Sequence, residues 1–278
     1  MFDRIRAGWT LAMQSLDVLK ADKELLLFPL MSGVSLAVVT ASFLLPLLGS
    51  DTLQSMESRE QAQEPMLYAA LFIFYFINYF IIMFFNAGMI GCAMIRFEGG
   101  NPTVADGFRT SLQCLPQLFG WALVSATVGV ILRIIESRSE SVGRIVAAIL
   151  GTAWNVTTYF VLPVLVLEKV GPMDAFKRST DIIKRTWGEA LTANLGIGAV
   201  VFIMMILACL PAVLGILAGT QAAMITGVVA TIICVILVSL ISSALGTIIT
   251  AALYEYAGNN RVPVQFDRQL LEQAFTHK

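Results

Sequence analysis

Long apolar runs, separated by short stretches that hold most of the charge, set the pattern of this chain. Crossing ~30 Å of hydrocarbon takes ~20 apolar residues at ~1.5 Å rise each, and six segments meet that: 25–49, 66–95, 112–135, 142–167, 189–218 and 222–254. The second, fifth and sixth are longer than a perpendicular span needs, so they must tilt, bend or project from the bilayer. Pro211 is expected to kink the fifth, because it lacks a backbone N–H and its ring clashes with the preceding turn.

Ahead of each odd-numbered span the rhythm changes. Over residues 2–20, Phe2, Ile5, Trp9, Ala12, Met13, Leu16 and Leu19 recur at three- and four-residue steps, and Asp3, Arg4, Arg6, Gln14, Asp17 and Lys20 face away. This predicts an amphipathic helix on the membrane surface, with two more over 102–111 and 172–186. The later two share a motif, Asp106-Gly107-Phe108-Arg109-Thr110-Ser111 matching Asp174-Ala175-Phe176-Lys177-Arg178-Ser179. Each copy follows a proline, Pro102 or Pro172, and precedes a tryptophan, Trp121 or Trp187. The ends of spans two and six also rhyme, Phe97-Glu98-Gly99-Gly100-Asn101-Pro102 with Tyr256-Ala257-Gly258-Asn259 and a later Pro263. Thr186-Trp187-Gly188-Glu189 has capping-box spacing and marks the start of span five. The expected fold is an all-α membrane protein: six transmembrane helices with cytoplasmic amphipathic helices in one transmembrane domain, 1–278, built on a repeated two-span unit whose first copy has diverged most.

Orientation follows from the basic residues. With the N-terminus inside, the inner segments carry Arg4, Arg6, Lys20, Lys23, Arg96, Arg109, Lys169, Lys177, Arg178, Lys184, Arg185, Arg261, Arg268 and Lys278. Only Arg59, Arg133, Arg138 and Arg144 of the 18 Lys and Arg remain outside, where Asp51, Glu57, Glu60 and Glu64 make the first loop acidic. Both termini are therefore expected in the cytoplasm, with the chain in the inner membrane of a prokaryote. Composition agrees: charged residues are 13% and mean hydropathy is +0.79, against about 25% charge in an average soluble domain. A net charge of −1 and the lack of a basic stripe argue against nucleic acid as a partner. The first apolar run is too long for a signal peptide and reads as an anchor.

The opening Phe2-x-Arg4-x-Arg6-x-x-Trp9, the run Asp22-Lys23-Glu24-Leu25-Leu26-Leu27-Phe28-Pro29, and the stretch from Tyr159 through Pro163, Glu168, Gly171-Pro172 and Lys177-Arg178-Ser179 to Trp187-Gly188-Glu189 together resemble a prokaryotic family of six-span membrane proteins of unassigned function. The closing Ala252-Leu253-Tyr254-Glu255-Tyr256-Ala257 with Phe266-Asp267 fits as well. More distantly the chain is similar to the membrane domain of some bacterial glycerophosphodiester phosphodiesterases, whose catalytic barrel has no counterpart here. The resemblance implies the fold and a prokaryotic membrane location, and it carries over no catalytic residue.

The residues themselves point away from catalysis. The one histidine, His277, lies beside the C-terminus, which argues against His-built zinc sites and Ser-His-Asp chemistry. Cys92, Cys114, Cys209 and Cys234 are widely spaced within or beside apolar runs, where thiols act as small hydrophobes. Ion-coupled transport leaves ionisable groups within spans, but the polar residues at mid-depth here are amides and hydroxyls. Asn78, Asn86 and Asn155 are the candidate lining of a polar cavity, with interhelical hydrogen bonding as the plainer role. Glu168 and Glu255 oppose the negative ends of spans four and six, which points to partners such as Lys169, Arg178 or a neighbouring surface helix, with ordinary interfacial charge as the plainer role. Lys177, Arg178, Lys184 and Arg185 are the candidate contacts for lipid or a protein partner. The expected function is a non-enzymatic, lipid-interacting membrane scaffold without cofactor or metal, its partners membrane lipids including anionic phospholipid, with homo-oligomerisation left open; a transporter or permease-like protein for a small molecule or lipid is the alternative.

A cysteine placed at Glu57 should react with an impermeant thiol reagent applied outside, and one placed at Lys184 should not. Reversed labelling would overturn the orientation.

Overall fold

The computed structural model describes residues 2–48, 64–137, 142–185, 198, 201–267 and 271. Among them are α1 (Phe2–Ala21), a 3-10 turn (Lys23–Leu26), α2 (Leu27–Leu48), α3 (Glu64–Phe97), α4 (Val104–Gln113), α5 (Leu115–Ser137), α6 (Val142–Thr157), α7 (Val161–Leu167), α8 (Pro172–Arg185), α9 (Leu210–Leu217) and α10 (Gln221–Asn259). Five helical stretches are long and apolar enough to cross a membrane: Lys23–Leu45, Tyr68–Phe97, Leu115–Ser137, Val142–Leu167 and Gln221–Asn259. The chain is an all-α membrane protein. The apolar helix Val201–Leu217 covers the latter part of the sixth expected segment, 189–218. Most of that segment's first half lies outside the described residues, as do the capping box at Thr186–Glu189, Trp187, Asp51, Glu57, Glu60, Arg59, Arg138, Arg268 and His277.

The chain divides into two compact units. The central unit comprises Leu30–Gly91 and Ala105–Asp181, and the terminal unit Met1–Pro29, Cys92–Val104 and Ile182–Lys278.

In the central unit, α5 and α6 form an antiparallel pair. Trp121 of α5 stacks on Trp154 of α6, with centroids 5.5 Å apart and planes 6° from parallel. Phe176 of α8 lies 6.3 Å from the first ring and 5.8 Å from the second, so three elements meet at one aromatic stack. Each such pair is worth about 0.5–1.5 kcal/mol beyond its buried area. The segment expected as one helix over 142–167 is interrupted at Thr158–Phe160, between α6 and α7. The cause is Pro163, which gives no N–H to the carbonyl of Tyr159 and whose ring would collide with it.

In the terminal unit α1 packs on α10. Leu11, Val18 and Leu19 of α1 are buried, as are Ile248, Ile249, Ala252 and Tyr254 of α10. Pro211 acts on its helix as expected: the chain makes a single tight turn at Cys209, whose N–H bonds Ile206 O at 3.1 Å. Thr231 Oγ1 accepts the N–H of Ala212 at 2.9 Å, tying the interrupted helix to α10. Gly215 and Gly227 face each other at that seam, where a Cβ on Gly227 would come within 3.1 Å of the Gly215 Cα.

Three span ends stop in the same way. Gly99, Lys169 and Asn260 have positive φ, at 85°, 53° and 54°, and each stands three residues before a proline, Pro102, Pro172 or Pro263. The left-handed residue ends the helix, and the proline fixes the direction in which the chain leaves. At Gly99 the bonds Gly100 N–H to Ile95 O and Gly99 N–H to Arg96 O, both 2.9 Å, form a Schellman motif.

Arg96, in the last turn of α3, anchors the terminal unit. Its guanidinium donates through two nitrogens to the buried carboxylate of Asp22, and one of them also reaches Asn101 Oδ1 at 2.8 Å. Its carbonyl accepts from Gln265 Nε2 at 2.7 Å. Removing one partner of such a pair leaves a buried charge uncompensated, at about 3–5 kcal/mol. Arg96→Met should therefore lower the thermal unfolding temperature in detergent, and adding Asp22→Leu should recover much of the loss. Equal unfolding temperatures for the two variants would show that the pair is not what holds this end.

Candidate functional site

The motif shared by α4 and α8 builds two seats in the central unit. Helical spacing puts its small residue, its phenylalanine and its serine on one face, at relative positions 0, 1 and 4. That face is buried: Gly107 and Ser111 in α4, and Ala175 and Ser179 in α8, are closed to solvent. Arg109, Asp174 and Lys177 are exposed, and Asp106 is half-buried.

Each serine bonds the backbone of the span before it. Ser111 Oγ donates to Phe84 O of α3 at 2.6 Å, and Phe108 packs edge-on against Phe85 at 6.2 Å. Ser179 Oγ donates to Thr157 O at 2.7 Å and accepts the N–H of Phe160 at 3.1 Å. The second seat therefore lies in the break between α6 and α7, where one hydroxyl satisfies a donor and an acceptor that the broken helix leaves open. Close approach at both seats needs glycine. A Cβ on Gly91 of α3 would overlap the Thr110 side chain, and one on Gly120 of α5 would stand 2.8 Å from Cγ of Pro172. In the terminal unit, α1 lacks the motif, and its buried Ser15 has no hydrogen-bond partner among the described residues.

Side chains around α5 close the end of α7. Cys114 Sγ lies 3.6 Å from Val166 O, Gln117 Nε2 donates to Lys169 O at 3.3 Å, and Lys169 Nζ reaches Gln113 Oε1 at 3.2 Å. Glu168 finds its partner in Arg178, whose Nε donates to Oε1 at 3.0 Å. Glu255, buried in the terminal unit, accepts from Asn259 Nδ2 at 2.8 Å.

The four basic candidates differ in their surroundings. Lys177 faces Asp174 at 3.6 Å, both well exposed, and such a pair contributes about 0–1 kcal/mol. Arg178 is engaged with Glu168. Lys184 and Arg185 are exposed in the last turn of α8. The three asparagines are dispersed. Asn78 Nδ2 bonds the carbonyl of Phe74 in its own helix at 2.7 Å, Asn86 is half-buried two turns further along α3, and Asn155 is exposed on α6. A cavity of about 400 Å³ does lie between α3, α5 and α6, but other residues line it, among them Tyr75, Tyr79, Arg133 and Arg144. No cluster of His, Cys, Asp and Glu able to hold a metal occurs among the described residues.

Sequence reasoning found the motif as a repeat and missed that its serine is the clamp. A serine kept at the same step after a buried small residue, in helices otherwise charged, was the available signal. Ser179→Ala should orphan two buried backbone groups at about 1–3 kcal/mol each, and so lower the unfolding temperature well beyond the effect of Thr152→Ala, an exposed hydroxyl that bonds only its own helix. Equal effects would mean the clamp contributes nothing.

No curated protein matches the chain. The model of one family, described only as a family of unknown function (DUF6159), matches residues 66–264 and so takes in both seats. This chain, an all-α membrane protein whose helices α4 and α8 are clamped to neighbouring helices by buried serines, belongs to that family, DUF6159.

Proposed function

We propose that the protein is a non-enzymatic membrane scaffold that holds charged helices at the cytoplasmic surface of a prokaryotic inner membrane, where they meet anionic phospholipid. The observation that carries this reading is the pair of serine clamps, which bond α4 to Phe84 within α3 and α8 to the break between α6 and α7, and so hold their polar faces in one position. A helix held in that way presents lysine and arginine to headgroups without the entropy cost of ordering a loose segment. Each juxtamembrane basic residue gains about 1 kcal/mol from an anionic leaflet. Asp174 and Glu168 offset part of that at Lys177 and Arg178, which leaves Lys184 and Arg185 as the stronger contributors. The distribution of lysine and arginine along the sequence supports cytoplasmic termini.

Transport would require the polar amides to share a cavity. The inward turn of Asn78 onto its own helix and the exposure of Asn155 favour the scaffold.

Native mass spectrometry of the detergent-solubilised protein should show preferential retention of anionic over zwitterionic phospholipid, and reversing Lys177, Arg178, Lys184 and Arg185 to glutamate should weaken the preference. Equal retention of both lipids by both proteins would reduce the basic cluster to a topology signal.

A further inference from the structure

The cavity in the central unit has a graded lining. On α5, Glu136 and Arg133 lie one to two turns nearer the helix end than Gly129, and on α6 Arg144 lies one turn before Ala147 and Ala148. Tyr75 and Tyr79 close the third side from α3. Charge therefore stands at one end of the cavity and small apolar surface at the other.

Helix geometry sets the depth of that charged end. Arg133 follows Leu115, the first residue of α5, by 18 residues, which is about 27 Å and close to the ~30 Å of a hydrocarbon core, while Tyr75 stands nine residues, about 14 Å, before Phe84, where α4 is seated. The charged end thus lies at the far interface from α4 and α8, where tyrosine is enriched and headgroups sit. The apolar end points into the acyl region.

The charges favour an anion. Arg133 Nη1 donates to Glu136 Oε2 at 2.8 Å, which uses one of the five guanidinium donors. Arg144 is exposed at the same mouth and has no ion-pair partner among the described residues. Among the described residues two guanidinium groups stand against one carboxylate at the mouth, and guanidinium is the side chain best shaped to grip phosphate oxygens. Beneath it Gly129 keeps the slot open. A Cβ there would lie in ordinary contact with the rings of Tyr75 and Tyr79, at 3.4 and 3.6 Å, so any larger side chain must enter the cavity.

We propose that this cavity binds one membrane phospholipid, its phosphodiester held by Arg144 and Arg133 and one acyl chain laid along Gly129, Ala147 and Ala148. The site is separate from the basic face of α8 and stands whether or not that face recruits lipid.

The test compares wild type with Arg144→Gln, which removes the phosphate contact at an exposed position, and Gly129→Leu, which fills the slot, by native mass spectrometry in detergent with added phosphatidylglycerol. Each variant should weaken retention of one phospholipid per chain about tenfold, the worth of one charge-assisted contact, and the far-ultraviolet circular dichroism should be unchanged. The glutamate reversals on α8 should leave this lipid in place. An excess of inorganic phosphate should not displace it. Retention unchanged in Arg144→Gln would overturn the proposal. Loss in Arg144→Gln but not in Gly129→Leu, or displacement by inorganic phosphate, would overturn the amphiphile and leave a site for free phosphate. Should Gly129→Leu fail to fold, Ala148→Phe fills the slot from the opposite helix and is read in the same way.

Discussion

A backbone amide or carbonyl left open inside a bilayer has no water to turn to, and each such group costs several kcal/mol. A regular helix avoids the problem along its length, but not at its ends or where a proline interrupts it. This chain stops or breaks helices repeatedly, at Gly99, Thr158, Lys169, Cys209 and Asn260. Much of its tertiary structure can be understood as the means by which those stops are satisfied. Ser179 takes up both open groups between α6 and α7. Thr231 takes up the N–H released near Pro211, Gln265 the carbonyl of Arg96, and Gln117 the carbonyl of Lys169.

This constraint explains why the surface helices are tied to their spans. An amphipathic segment lying on a membrane by hydrophobicity alone can slide and rotate, because lipid contacts are non-directional. Ser111 and Ser179 replace that freedom with hydrogen bonds of defined direction, and Phe108 and Phe176 add packing beside them. The requirement runs both ways: the break at Thr158–Phe160 needs the hydroxyl, and α8 needs the break as a place to bond.

The central unit then offers two kinds of polar environment at opposite ends. At one, ion pairs such as Arg178 with Glu168 temper the exposed basic residues of α8. At the other, the mouth formed by Arg133, Glu136 and Arg144 opens onto an apolar slot. The first is a surface and the second a pocket, so they differ in what they can select. A surface reads charge density, while a pocket also reads the shape of what enters it.

The helical, membrane-crossing nature of the chain and five of its six expected spans were legible in the sequence, because apolar length against bilayer thickness is a one-dimensional property; of the sixth, the described residues hold only the shorter helix Val201–Leu217. So were the amphipathic helices and the action of Pro211, each of which depends on residues within a few positions of one another. The repeat of Asp-small-Phe-basic-x-Ser was visible too, yet its meaning was not, since Ser111 and Ser179 act on carbonyls 27 and 22 residues away. The break before Pro163 could have been read from the proline alone; that Ser179 would fill it could not. Arg96 looked like a topology signal until Asp22, 74 residues earlier, came to lie against it. Asn78, Asn86 and Asn155 were chosen by depth along the chain, but whether side chains share a cavity depends on helix rotation, which depth does not determine. The residues at the cavity mouth were counted only as outward charge for the same reason. Local pattern and composition determined which segments are helices and which of them enter the bilayer; only tertiary packing decided which polar atoms meet, because hydrogen bonds and ion pairs require a few tenths of an ångström of placement that no linear spacing encodes.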